Sequence, residues 1–147
     1  MKKRYYHGTN RSFSHFIVPT ESKNIKSPLG LLGVFFTEDP NLASDFTKVC
    51  WHNPSSKYKK GANVIPVTLN LNKTIEISAI KFLELSGRSD TYLLKFKNDL
   101  IEKGFDSILF KKPNKEDFCY ETLISEFPSD QIVVFDNKNI NFFFSNV

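Results

Sequence analysis

The sequence predicts a single α+β domain, residues 1–147, with much antiparallel sheet. Three observations carry that prediction. Short apolar runs at 33–37, 63–71, 105–110 and 131–135 alternate or stay apolar over strand lengths. Two stretches, from Asp39-Pro40 and over 91–103, carry apolar residues at helical spacing with start or stop residues at one end. Nothing divides the 147 residues: there is no repeat, low-complexity segment or linker. A hydrophobic content of 40% and a charged content of 24% are ordinary for a globular domain. The 15 Phe, against one Trp and one Met, predict an interior packed by aromatic rings.

The elements follow in order. Residues 4–6 read as a first strand that delivers His7 to its end, and 10–32, with Pro19, Pro28 and Gly30, as a long irregular loop. Residues 33–37 form a second strand. Asp39 can cap a helix and Pro40 suits its first position. Leu42, Ala43, Phe46, Val49 and Cys50 continue one apolar face to about residue 51. A polar loop over 53–62 precedes a strand at 63–71, which Pro66 places near a sheet edge. Ser78 caps a short helix carrying Ile80, Phe82, Leu83 and Leu85. The 91–103 helix puts Leu93, Leu94, Leu100 and Ile101 on one side and stops at Gly104. A strand at 105–110 and a Lys/Pro/Asn loop come next, then 118–124 as strand or irregular chain. Strands at 131–135 and 140–144 close the chain around an Asp136-Asn137-Lys138 turn.

Composition also narrows function. Cys50 and Cys119 have no CxxC spacing, and the three histidines form no ligand pattern, so neither a disulfide framework nor a metal site is expected. No apolar run reaches the roughly 18–20 residues that cross a bilayer. Met1-Lys2-Lys3-Arg4 is basic without an apolar core behind it, so no Sec signal peptide is expected. The net charge is +4, densest at Lys57-Tyr58-Lys59-Lys60 and at Lys111-Lys112 with Lys115. Such groups read as solvated loops, and they equally suit a dianionic ligand or nucleic acid. Glu116 and Asp117 read as solvated surface, and Asp106 as structural.

Three segments carry the functional reading. In Tyr6-His7-Gly8-Thr9 an imidazole donor stands beside backbone that a ligand can approach closely, since glycine has no Cβ. Gly33-Val34-Phe35-Phe36-Thr37 supplies aromatic faces, and Gln131-Ile132-Val133-Val134-Phe135 puts one polar side chain at the mouth of a buried strand. Taken singly, each reads as ordinary core or surface. In this order they resemble the three motifs of the ADP-ribosyltransferase fold, in its histidine-first branch of diphtheria toxin and the poly(ADP-ribose) polymerases. The likeness extends further. Val64 to Leu71 resembles the family's central strand, and Gly104-Phe105-Asp106-Ser107-Ile108 resembles the Gly-Tyr-Asp-Gly-Ile segment of bacterial and phage members.

The resemblance implies a split, mostly antiparallel sheet with short flanking helices, and NAD as co-substrate. It implies that His7 bonds a ribose hydroxyl on the adenosine side and that Gly8 holds the nicotinamide carboxamide by its backbone, with Thr9 in the same turn. Phe35 takes the motif tyrosine's place, and Phe46 supplies an opposing ring for the pyridinium, a cation–π arrangement worth about 0.5–2 kcal/mol. Gln131 ends the third motif, completing a set with His7 and Phe35. Two residues depart from the pattern. Phe35 lacks the tyrosine hydroxyl. Gln131 replaces a glutamate, so it can bind a hydroxyl but offers neither charge nor base. Glu121 and Glu126, just upstream, are the nearest carboxylates, and neither is expected at the motif position.

The expected activity is mono-ADP-ribosyl transfer from NAD to an unknown protein or nucleic-acid acceptor, with release of nicotinamide. Three alternatives stand beside it: an NAD glycohydrolase, a non-catalytic NAD or ADP-ribose-binding module, and a basic nucleic-acid-binding domain. By family analogy the chain suits a bacterial or phage effector or toxin, cytoplasmic or delivered into a host cell without a Sec signal.

Overall fold

The computed structural model describes residues 3–9, 28–48, 63–118 and 120–142. Seven strands of these residues form one sheet: β1 (Arg4–Thr9), β2 (Val34–Thr37), β3 (Asn63–Leu69), β4 (Thr74–Ser78), β5 (Ser107–Lys111), β6 (Gln131–Val134) and β7 (Ile140–Phe142). Their order is β4-β5-β6-β2-β1-β3-β7. Every neighbouring pair is antiparallel except β4 and β5, which are parallel. Among the described residues four helices flank the sheet: α1 (Pro40–Lys48), α2 (Ala79–Ser86), α3 (Asp90–Glu102) and α4 (Tyr120–Glu126). The architecture is the α+β, mostly antiparallel one that the sequence predicts.

The local signals work as their chemistry requires. The Asp39 carboxylate accepts the Asn41 N–H at 2.9 Å and starts α1. Ser78 caps α2 through the Lys81 N–H, and Ser89 caps α3 through the Tyr92 N–H. Gly104, at φ +91, stops α3, and its N–H and that of Phe105 return to the Ile101 and Leu100 carbonyls. Asp106 is structural as expected. Its carboxylate accepts the Asn72 N–H at 2.7 Å and the Ser107 hydroxyl at 3.0 Å, tying the turn before β4 to β5.

Two apolar clusters occupy opposite faces. Outside, α2, α3 and a 3-10 turn at Pro28–Leu31 pack on β5, β6 and β2 through Leu32, Leu85, Leu93, Ile108, Phe110 and Val133. Inside, Val34 and Phe36 of β2 and Ile132 and Val134 of β6 meet Val67 of β3 and Ile140 of β7. In a flat sheet β6 and β7 would stand about 19 Å apart. The cluster spans that distance from strand to neighbouring strand, with Tyr5 of β1 packed against it between the β2 and β3 residues. Five residues, 135–139, suffice to step from one half to the other, and Asn139 fastens that step by donating its side-chain N–H to the Asn70 carbonyl at 2.8 Å.

Several expectations are corrected. His7 lies inside β1, not at its end, because β1 pairs with β3 over all six residues. Leu29, Leu31 and Leu32 are core residues, not part of an irregular surface loop. Thr74–Ser78 is a strand that the sequence reading left unassigned. Residues 120–126 are helical because Leu123 and Phe127, four apart, are buried together. Ile101 is 45% exposed, whereas Leu93 and Leu100 face the core. The last two strands do not pair with each other: β6 lies between β5 and β2, and β7 at the far edge on β3. Pro66 fits one strand in from that edge, just past the three residues of β3 that β7 covers. Residues 10–27, 49–62, 119 and 143–147 lie outside the described residues, and with them His15, His52, Cys50, Cys119 and the Lys57–Lys60 group.

Candidate functional site

The three motif segments, far apart in the chain, lie on three adjacent strands. Tyr6 of β1 pairs with Thr37 of β2, Thr37 with Gln131 of β6, and Gln131 with Phe110 of β5. One rung thus crosses four strands and holds the last residue of the second motif against the first of the third. Residues on one rung share a face, and residues two apart on a strand share it too. Phe35, Thr37, Gln131 and Phe110 are therefore on one face. His7 is on the other, with its ring 5.6 Å from that of Phe36.

The junction of β1 and β2 differs from the others. These strands share one register pair, Tyr6 with Thr37. Beyond it the ladder lapses, and backbone groups that a neighbouring strand would normally take must find other partners. One is taken by a side chain: His7 Nδ1 lies 2.7 Å from the Phe35 carbonyl oxygen. A carbonyl can only accept, so the proton sits on Nδ1, and in the neutral ring Nε2 is an acceptor. The imidazole thus joins the first motif to the second across the split.

The Phe35 ring is half-buried. It lies parallel to Phe110 with centroids 6.3 Å apart and meets Phe82 edge-on at 6.4 Å. Phe82 in turn contacts Phe110 at 5.0 Å and Phe127 at 4.8 Å. This aromatic stack under Phe35 is where the phenylalanine-rich composition is spent. Gln131 is buried, with only 5% exposed, so its amide works away from bulk water. Asp130 beside it bonds the Lys112 N–H at 2.7 Å and the Lys111 ammonium at 3.0 Å. Partial burial pushes the Asp130 carboxyl up. The Lys112 N–H and the Lys111 ammonium outweigh it and hold the group below its ordinary range.

Of the six residues expected in a donor site, the fold sets His7, Gly8, Phe35 and Gln131 on three adjacent strands, with Phe35 and Gln131 on one face and the His7 side chain on the other. Thr9 ends β1 and Phe46 lies on α1, but both side chains fall outside the described residues, as does that of Glu126. Glu121 is exposed on α4. Sequence reasoning missed Thr37, Asp130, Phe82 and Phe110, whose part in the site arises from pairing and packing. Among the described residues no cluster of three His, Cys, Asp or Glu could hold a metal, and no helix is long and apolar enough to cross a membrane. The family model described as ADP-Ribosyltransferase in polyvalent proteins matches residues 1–142. No curated protein sequence matches the chain.

Proposed function

The chain belongs to that ADP-ribosyltransferase family, and from this premise we propose that it transfers single ADP-ribose units from NAD to a macromolecular acceptor, in the manner of the histidine-first branch. The observation that carries the reading is the His7–Phe35 hydrogen bond at the split, with Phe35 two residues from the Thr37–Gln131 pair. The bond joins the first two segments, and the β2–β6 ladder sets the third beside them. These groups suit a dinucleotide: an imidazole acceptor for the adenosine-side ribose, and glycine backbone, an aromatic ring and a neutral amide for the nicotinamide half.

In this reading His7 Nε2 accepts from a ribose hydroxyl, with the ring held in that tautomer by the Phe35 carbonyl. Gly8 offers its N–H and carbonyl to the carboxamide. Phe35, backed by Phe110 and Phe82, presents a fixed ring to the pyridinium, with Thr9 and Phe46 completing the wall. Gln131 orients the ribose hydroxyl next to the reacting carbon. The bond from that carbon to the nicotinamide nitrogen breaks, and its electron pair neutralises the ring, so the leaving group needs no acid. The acceptor's nucleophile forms the new bond and gives up its proton to its own surroundings, since Gln131 is no base. Rate then comes from holding donor and acceptor together, which suits one transfer better than chain elongation.

A second reading, a module that binds NAD or ADP-ribose without turnover, is favoured by one observation: a buried amide stands where a carboxylate would stabilise positive charge. NAD labelled on its adenylate half, incubated with the protein, a cell lysate and a His7→Ala control, separates the two. Label on macromolecules with the wild type only supports transfer, and nuclease or protease sensitivity gives the acceptor class. Free ADP-ribose without labelled targets marks a glycohydrolase. Tight binding without nicotinamide release marks the module. Gln131→Glu raises turnover if the site is a weakened transferase.

A further inference from the structure

Thr37 ends β2, is 2% exposed, and faces Gln131 across the ladder. Packing alone does not need a hydroxyl there, since valine has the same shape and no polar group to satisfy. The hydroxyl has two partners. It donates to the Asp130 carbonyl at 3.3 Å and accepts the Asp39 N–H at 3.1 Å. The Asp130 carbonyl belongs to the peptide group whose other half is the Gln131 N–H. That group is planar, so holding its oxygen sets the plane from which the Gln131 Cα departs.

The same stretch is tied from the other side. The Asp130 carboxylate is held by Lys112 N–H and Lys111 Nζ at the end of β5. The Ser129 hydroxyl, 3.4 Å from the Asp39 carboxylate, adds a link to the start of α1. We propose that Thr37 is a positioning residue for Gln131, its hydroxyl clamping the Asp130–Gln131 peptide so that the buried amide is aimed at the donor ribose. This rests on the reading of Gln131 as part of the donor site. A residue aimed this way acts on the reaction more than on ground-state binding.

The test uses Thr37→Val, Thr37→Ser, Gln131→Ala and the Thr37→Val/Gln131→Ala pair, with nicotinamide release and the KM for NAD as readouts. Thr37→Val should lower release at saturating NAD about tenfold and leave KM within about twofold, because small misplacement of an orienting group costs rate. Thr37→Ser should recover release to within about twofold. In the Gln131→Ala background Thr37→Val should add no further loss, since the two act as one unit. Losses that multiply in the double variant, or full release by Thr37→Val, overturn the clamp. If Gln131→Ala itself retains release and KM, the donor-site reading of Gln131 fails first and Thr37 has nothing to position. Should Thr37→Val not fold, Asp130→Ala removes the second tie at a half-buried position. The same non-additive loss is expected, and additivity overturns the proposal.

Discussion

The two flanks of β2 are built differently. Toward β6 it forms four register pairs, Val34 to Thr37 with Val134 to Gln131, and all of these residues are buried except Phe35, which is half-buried. Toward β1 it forms one pair, and a histidine side chain bridges where the ladder stops. The closed flank is rigid and carries Phe35 and Gln131. The open flank has a side-chain bridge in place of a continued ladder. A single four-residue strand thus carries a continuous ladder on one side and an interrupted one on the other.

The closed flank should break hardest. Gly33, at φ +154, runs so close to β6 that a Cβ on it would lie 2.2 Å from the Val134 carbonyl oxygen. Backbone cannot yield as a side chain tip can, so Gly33→Val should destabilise by more than about 3 kcal/mol. A denaturant midpoint close to wild type would deny that the flank is tight. His7→Ala, on the open flank, should behave in the opposite way. NAD affinity should fall at least tenfold, about 1.4 kcal/mol. Stability should change by only about 1 kcal/mol for one lost hydrogen bond. Unfolding with unchanged affinity would make the bridge a structural brace. Phe35→Tyr sharpens the contrast further. It restores the family's ring, and NAD affinity should stay within about twofold in a titration, since stacking needs no hydroxyl.

The smallest effect concerns pH. The Asp130 carboxyl titrates below its ordinary value of 3.8 in the folded chain. Its folded value is depressed, so its contribution is fully present above the unfolded value and is lost as pH falls through the folded one. The stability difference between wild type and Asp130→Asn should therefore be constant near neutrality and vanish in acid. A difference that grows on acidification would reverse the assignment.

What could be read in advance was local. Asp39-Pro40, Ser78 and Gly104 act on backbone within a few residues, so their roles do not depend on the rest of the fold. The order of the three motifs was legible because the family resemblance already encodes a fold. Pairing was not. Thr74–Ser78 alternates only Ile75 and Ile77, and its partner β5 comes after two helices. In residues 120–126 the Leu123–Phe127 spacing was hidden among Tyr120, Thr122 and Ile124, which favour strands. Proximity in sequence predicts that the last two strands close around their turn, but the strand order puts β2, β1 and β3 between them. Thr37 and Asp130 could not be singled out at all, since only the Thr37–Gln131 rung gives them a common object.

The place of β6 also governs when the site can exist. Every strand except β7 precedes it in the chain, yet it fills the gap between β5 and β2. During synthesis His7 and Phe35 can meet as soon as β1 and β2 have formed, while the Gln131 position waits for a segment more than ninety residues later. Until that segment arrives, β2 and β5 each present an unpaired edge, the kind of surface that recruits other chains. On the proposed reading, a chain lacking β6 would lack the Gln131 position and leave two sheet edges open at the same time, so one strand both completes the site and seals the sheet.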